Sequence, residues 1–187
     1  MPGSLRYNKK VSVFIQNAPS TAIITSSYHH IHMASAFHWI KVKAVCYATE
    51  DEDLIHDVMV SLTGIDDDES FEVDISEGLH GNPITVIDAN LSHNKEYERL
   101  FRNIGEGPLK EVLDGIEERI DDDCILYFRL DKQKAVEGIY EISHSGDVIS
   151  VTAKIVAHPA KKGIAVENAK AFITRMLLPS AQAPSSE

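Results

Sequence analysis

The clearest pattern in the chain runs from Phe37 to Thr49, FHWIKVKAVCYAT. Apolar and polar residues alternate there, and β-branched and aromatic types dominate, which predicts a strand. Side chains of a strand point alternately to its two faces. Ile40, Val42, Ala44 and Cys46 therefore share one face, and Lys41, Lys43, Val45 and Tyr47 share the other. The period then changes. Leu54, Ile55, Val58, Met59 and Leu62 recur at helical spacing, predicting a helix with Thr49 as its cap, Glu50–Asp53 in its first turn and Gly64 as its stop.

The same reading continues along the chain. Ser70–Ser76 alternates, with Phe71, Val73 and Ile75 on one face, and Pro83–Leu91 is a second strand behind the Gly-rich turn Glu77–Asn82. Its proline opens the strand, where no ladder bond is lost. Asn94–Ile104 and Pro108–Ile120 read as helices broken at Gly105–Gly107, Cys124–Leu130 as a strand, and Lys132–Gly138 as a helical turn. Ile139–Ser143 and Val148–His158 read as a hairpin about His144–Asp147. Ala160–Leu178 is the last helix, its stripe made of Ile164, Ala165, Ala169, Phe172, Ile173 and Met176. The order β-α-β-β-α-α-β-β-β-α, rich in hairpins, predicts an α+β fold: a mostly antiparallel sheet with helices packed on one face. No Gly-rich turn leads from a strand into a helix, which speaks against a dinucleotide-binding fold.

At 187 residues the chain fits a single domain, assigned to residues 37–178. Residues 1–36 lack a helical period and read as a loosely ordered N-terminal extension. Met33 directly precedes the first patterned segment and is a candidate translation start. His29, His30 and His32 belong to this extension and read as part of a disordered tail. Residues 179–187 form a Pro/Ser/Ala-rich flexible tail. Cys46 and Cys124 sit in apolar runs and read as buried free thiols. No apolar run reaches the roughly 20 residues of a membrane span and no signal peptide is recognised, so a cytoplasmic protein is expected.

Net charge is −11, which at first sight opposes a polyanionic partner. Its distribution alters that view. Residues 1–49 carry five Lys/Arg and no Asp/Glu, residues 50–123 carry five against twenty-three, and residues 124–187 carry eight against six. Strands from the two ends, placed side by side, would set a cationic face against an acidic one. The acidic runs Asp66–Asp68 and Asp121–Asp123 lack the spacing of an EF-hand and read as solvated turns or caps. His38, His56 and His158 are isolated. No nucleophile–base set and no metal or cofactor motif is visible, so an enzyme is not expected.

Four segments together suggest a family. EDEDLIHDVMVSLTG, EGLHGNPITVIDANL, ERIDDDCILYFRLDKQKAVEG and ISVTAKIVAHPAKKGIAVENAKAFI occur in that order across residues 37–178. They resemble an archaeal RNA-binding family formerly classed as a domain of unknown function and grouped with predicted exosome-associated proteins. The resemblance implies a fold like that of ribosomal protein L5, RNA as partner, homodimer formation, and work in RNA processing or on the ribosome. The first 36 residues lie outside it.

RNA binding requires cations for phosphates and polar or aromatic groups for bases and sugars. The candidates are Lys41, Lys43, Arg129, Lys132, Lys134, Lys154, Lys161 and Lys162. Lys161 and Lys162 stand in the first turn of the last helix, where the dipole gives a lysine nothing but favours a bound anion. His80 and Asn82 are candidate donors in the turn before Pro83, which reads structurally as a tight hairpin connection. Trp39, Tyr47 and Tyr127 read as core aromatics. No RNA-recognition, KH or cold-shock motif occurs, so recognition of backbone and shape without catalysis is expected. Two other readings stay open: a protein-interaction or scaffold module associated with the exosome, whose acidic face docks a basic protein, and a metal-dependent nuclease built from converging carboxylates.

Overall fold

The computed structural model describes residues 35–65, 70–78, 81–144 and 146–178. These form five strands and six helices. The strands are β1 (Phe37–Tyr47), β2 (Phe71–Glu77), β3 (Pro83–Leu91), β4 (Ile125–Asp131) and β5 (Val148–Ile155). They make one sheet in the order β2-β3-β1-β5-β4, and every neighbouring pair is antiparallel. The helices are α1 (Glu52–Thr63), α2 (Asn94–Ile104), α3 (Glu106–Asp114), α4 (Ile116–Arg119), α5 (Lys132–Val136) and α6 (Lys162–Leu177). The α+β class expected from the pattern is the one observed.

Burial follows strand parity. Ile40, Val42, Ala44 and Cys46 of β1 are buried, as are Ile87, Ala89 and Leu91 of β3, Leu126, Phe128 and Leu130 of β4, and Ile149, Val151, Ala153 and Ile155 of β5. The apolar stripes of the helices cover this face: Ile55, Val58, Met59 and Leu62 of α1, Tyr97, Leu100, Phe101 and Ile104 of α2, and Ala165, Ala169, Phe172 and Ile173 of α6. An aromatic cluster joins the layers. Phe101 stacks on Phe37 at 5.7 Å between ring centroids and meets Phe172 edge-on at 5.0 Å and Phe128 at 6.2 Å. Such pairs add about 0.5–1.5 kcal/mol each beyond the area they bury.

Several local expectations are corrected. The cap of α1 is Asp51, whose carboxylate accepts from the amides of Asp53 at 3.1 Å and Leu54 at 3.3 Å, and Thr49 lies outside the helix. Gly64 does end α1, at φ 69°, with its N–H donating to the carbonyl of Val60. That left-handed geometry suits glycine, and a Cβ there would also strike the Arg99 side chain. The helix read over Pro108–Ile120 is two, interrupted at Gly115. Residues 139–143 form no strand of their own, only a bridge from Ile142 to Leu130. The partners of β5 are β1 and β4. Of the β2 stripe, Phe71 is buried against His56 of α1 but Val73 and Ile75 are exposed, because the helices pack mainly over the other four strands. Both cysteines are buried and free, and loss of solvation pushes the Cys46 thiol pKa up.

Among the described residues one charged side chain lies wholly inside. Lys132 is 0% exposed. Its ammonium reaches Glu50 Oε2 at 2.6 Å and Asp147 Oδ1 at 2.7 Å, and donates to the carbonyl of Val45. Gln133 bonds the same two carboxylates at 3.3 and 3.2 Å. The Lys132 ammonium also stands 5.3 Å from the centre of the Tyr47 ring. A buried cation persists only when paired and hydrogen-bonded; here the pairing pins the end of β1, the start of α5 and the approach to β5 to one point.

Three outcomes follow. Phe101→Ala should destabilise the fold by about 3–5 kcal/mol, read as a lower denaturant midpoint at unchanged slope. The second concerns acid. Burial tends to raise the Asp147 pKa, but the bonds from Lys132 and Gln133 outweigh it and hold the carboxyl below its ordinary 3.8. A depressed carboxylate stabilises the fold above its unfolded pKa, and that contribution is lost as pH falls through the folded value. The stability advantage of the native chain over Asp147→Asn should therefore be full near neutrality, begin to fall only below about pH 4, and vanish as the folded carboxyl itself protonates, as measured by denaturation at a series of pH values. Lys132→Ala, which leaves two carboxylates facing each other, should cost about 3–5 kcal/mol at neutral pH.

Candidate nucleic-acid interface

The sheet face turned away from the helices carries the opposite parity of every strand. On β1 this is Trp39, Lys41, Lys43, Val45 and Tyr47. The register aligns three rows across β1, β5 and β4: Trp39–Lys154–Ile125, Lys41–Thr152–Tyr127 and Lys43–Ser150–Arg129. Strands lie about 4.8 Å apart, so β1 and β4 side chains stand roughly 10 Å apart, with Lys154, Thr152 or Ser150 between them. Cations, hydroxyls and aromatic rings thus form a compact grid built by three chain segments.

One carboxylate ties down the β1 cations. Asp88 of β3 pairs in register with Lys43. Its Oδ2 sits 3.0 Å from the Lys41 ammonium and 3.4 Å from that of Lys43. Oδ1 is buried with no hydrogen-bond partner among the described residues. Both lysine side chains keep partial exposure, so the trio presents net positive charge to solvent. On β2, beyond β3, Glu72 and Asp74 take the outward parity. The face is therefore cationic toward β4 and acidic at β2.

The other candidates divide. Arg129 is exposed and pairs with no carboxylate among the described residues. Lys154 shares the face and donates to the carbonyl of Asp123. Lys161 caps α6 without a side-chain bond, and Lys162 begins it; the loop before them leaves the sheet where the Val156 amide donates to Ala36, the end at which β1 starts. Lys134 pairs with Glu141. Asn82 is exposed in the β2–β3 turn, its carbonyl accepting from the amide of Gly78 at 2.8 Å. His80 lies outside the described residues, as do His29, His30, His32 and Asp66–Asp68. Lys132 departs from its expected role: with no exposure and three internal acceptors, it is a structural cation with nothing left for a phosphate.

Three aromatics were expected in the core and are not there. Trp39, Tyr47 and Tyr127 are 39%, 49% and 45% exposed. The signal was in the alternation itself, since Trp39 and Tyr47 share parity with Lys41, and Tyr127 shares parity with Arg129. Tyr127 donates its hydroxyl to Asp121 Oδ2 at 3.0 Å; lost solvation and then this bond raise its phenol pKa. Asp121 also accepts from the amide of Ile125 at 2.9 Å, so its carboxylate closes the turn into β4. Among the described residues no group of three His, Cys, Asp or Glu side chains could hold a metal, and no helix is long and apolar enough to cross a membrane.

The edge of β4 is incompletely covered. Ile120 bridges to Leu126 near its start, and Ile142 to Leu130 near its end, leaving a gap at Tyr127 and Phe128. A cavity of about 430 Å³ opens there, lined by Tyr127–Arg129 of β4, Ser150–Thr152 of β5, and the flanking segments Glu118–Asp121 and Ser143–His144.

Comparison with known proteins converges on one family. A family described as RNA binding matches residues 39–155. RNA-binding protein PAB1135 of Pyrococcus abyssi is 32% identical over 143 residues, covering 73% of this chain and 93% of that protein. The uncharacterized protein MJ0213 of Methanocaldococcus jannaschii is 30% identical over 119 residues, 59% of this chain and 78% of that one. Among solved structures, Mth689, a DUF54 protein from Methanothermobacter thermautotrophicus, superposes with a TM-score of 0.61 at 32% identity, covering 76% of this chain and 98% of its own.

Proposed function

We propose, from the premise that this chain belongs to the RNA-binding family, that it binds RNA through the helix-free face of its sheet. The observation that carries this reading is the gathering of Lys41, Lys43, Lys154 and Arg129 with Trp39 and Tyr127 on that one face. The cations meet phosphates and release counterions. The exposed rings and the hydroxyls of Ser150 and Thr152 meet sugars and bases. Lys161 and Lys162, at the start of α6, extend the cationic rim. The net charge of −11 is compatible with this, because the acidic groups on β2 and the helices repel a polyanion from the remaining surface and orient it on the cationic area. We read the chain as a cytoplasmic, non-catalytic binder whose contacts fall mainly on RNA backbone and shape, with the RNA-processing or ribosome-related work and the pairing of two copies that the family resemblance implies.

A second reading has its own support. Glu72 and Asp74 on the outward side of β2 make an acidic margin suited to a basic protein, as an exosome-associated scaffold would need.

Titration of the full chain with fluorescently labelled RNA at several salt concentrations tests the first reading. Affinity should fall linearly with salt on logarithmic axes. Arg129→Gln and Lys41→Gln should each weaken binding and lower the slope by about 1. Lys110→Gln, on α3 in the helical layer and paired with Glu106, should change neither. Absence of RNA binding at low salt, or equal losses in all three variants, rejects the sheet face as the interface.

A further inference from the structure

We infer that the cavity at the β4 edge is a pocket for a single unpaired nucleotide of the bound RNA, which makes the preferred ligand single-stranded. This rests on the RNA-binding reading above and adds a site to it.

The cavity is bounded by several chain segments. It lies over a gap between two chain segments that cover the β4 edge on either side, so it has walls as well as a floor. At about 430 Å³ it falls within the range of roughly 300–1,000 Å³ typical of small-ligand sites. A duplex presents a broad ridge of backbone and cannot enter such a space, whereas one nucleotide turned out of a strand can.

The chemistry of the lining is mixed in a way that fits a nucleotide better than a bare anion. Tyr127 offers a half-exposed ring, held in place by its hydroxyl bond to Asp121 at 3.0 Å. Aromatic rings in such positions stack on unpaired bases with little regard to sequence. Arg129, two residues along on the same face, has no carboxylate partner among the described residues and supplies the cation for the adjoining phosphate. Ser150 and Thr152, directly cross-strand from Arg129 and Tyr127, supply hydroxyls between the two. The Glu118 and Asp121 carboxylates in the wall disfavour a free polyanion filling the cavity, but can accept from a base amino group or a ribose 2′-hydroxyl. The base is therefore assigned to Tyr127, and the phosphate to Arg129 at the mouth, where Lys43 stands across Ser150 in the same row.

The test compares a single-stranded oligouridylate with a duplex RNA of equal length, bound to the full chain and to four variants, at Tyr127 (two), Ser150 and Arg129. The native chain should prefer the single strand. Tyr127→Ala should weaken single-strand binding roughly 5- to 150-fold, the range set by loss of one stacked base, and leave duplex binding within about twofold. Tyr127→Phe, which keeps the ring, should retain the preference. Ser150→Phe, which fills the cavity and removes no charge, should reproduce the Tyr127→Ala loss. If RNA binds and Arg129→Gln weakens it, yet Tyr127→Ala and Ser150→Phe leave the single-strand preference intact, the pocket is overturned while the sheet-face interface stands. If the native chain prefers duplex, the pocket is overturned. If it binds no RNA at low salt, both fall together.

Discussion

A single sheet with helices on only one side is the constraint on which everything else in this protein depends. Each strand must offer one parity to the apolar layer and leave the other to solvent. On β1 the first parity is Ile40, Val42, Ala44 and Cys46, and the second carries Lys41, Lys43 and Tyr47. Packing the core around Phe101 thus displays the cations as a direct consequence. The antiparallel order, with β1 central and β5 between it and β4, then turns cations far apart in sequence into neighbours on one surface.

Charge is managed differently on the two sides. On the open face one carboxylate, Asp88, serves two lysines and is itself nearly buried. That holds both lysines in place around a single carboxylate. Inside, Lys132 meets two carboxylates and a carbonyl and is fully compensated. Two lysines in strand-like, alternating sequence and one just past a strand look alike in the sequence; the number of acceptors around each is what separates a surface cation from a structural one.

Much of the fold was legible. The hydrophobic periodicity located β1, β3, α2 and α6 closely, because long runs with one buried face leave a strong pattern. The short β2, β4 and α5 were also located to within two residues, but two other local features were misread. Residues 139–143 have strand-forming residues but follow the edge of β4 through one bridge, since that edge is already shared with the segment ahead of β4. The α1 cap moved from Thr49 to Asp51 because Glu50 is used elsewhere: its carboxylate accepts from the Tyr47 amide at 2.9 Å and from Lys132. The candidate interface was legible in its cations, but its aromatics were read inward, although their parity with Lys41 and Arg129 placed them outward.

By itself the sequence determined which residues of a strand share a face, because alternation is a local property of an extended chain. It also determined the asymmetry of charge along the chain. Tertiary structure decided which open-face residues become neighbours, since Lys43, Ser150 and Arg129 meet only through the register of β1, β5 and β4. It decided that Lys132 is sealed inside, because Glu50 and Asp147 approach from distant segments. It also decided that β4 keeps a gap in its edge, because pairing there depends on where two separate segments happen to end.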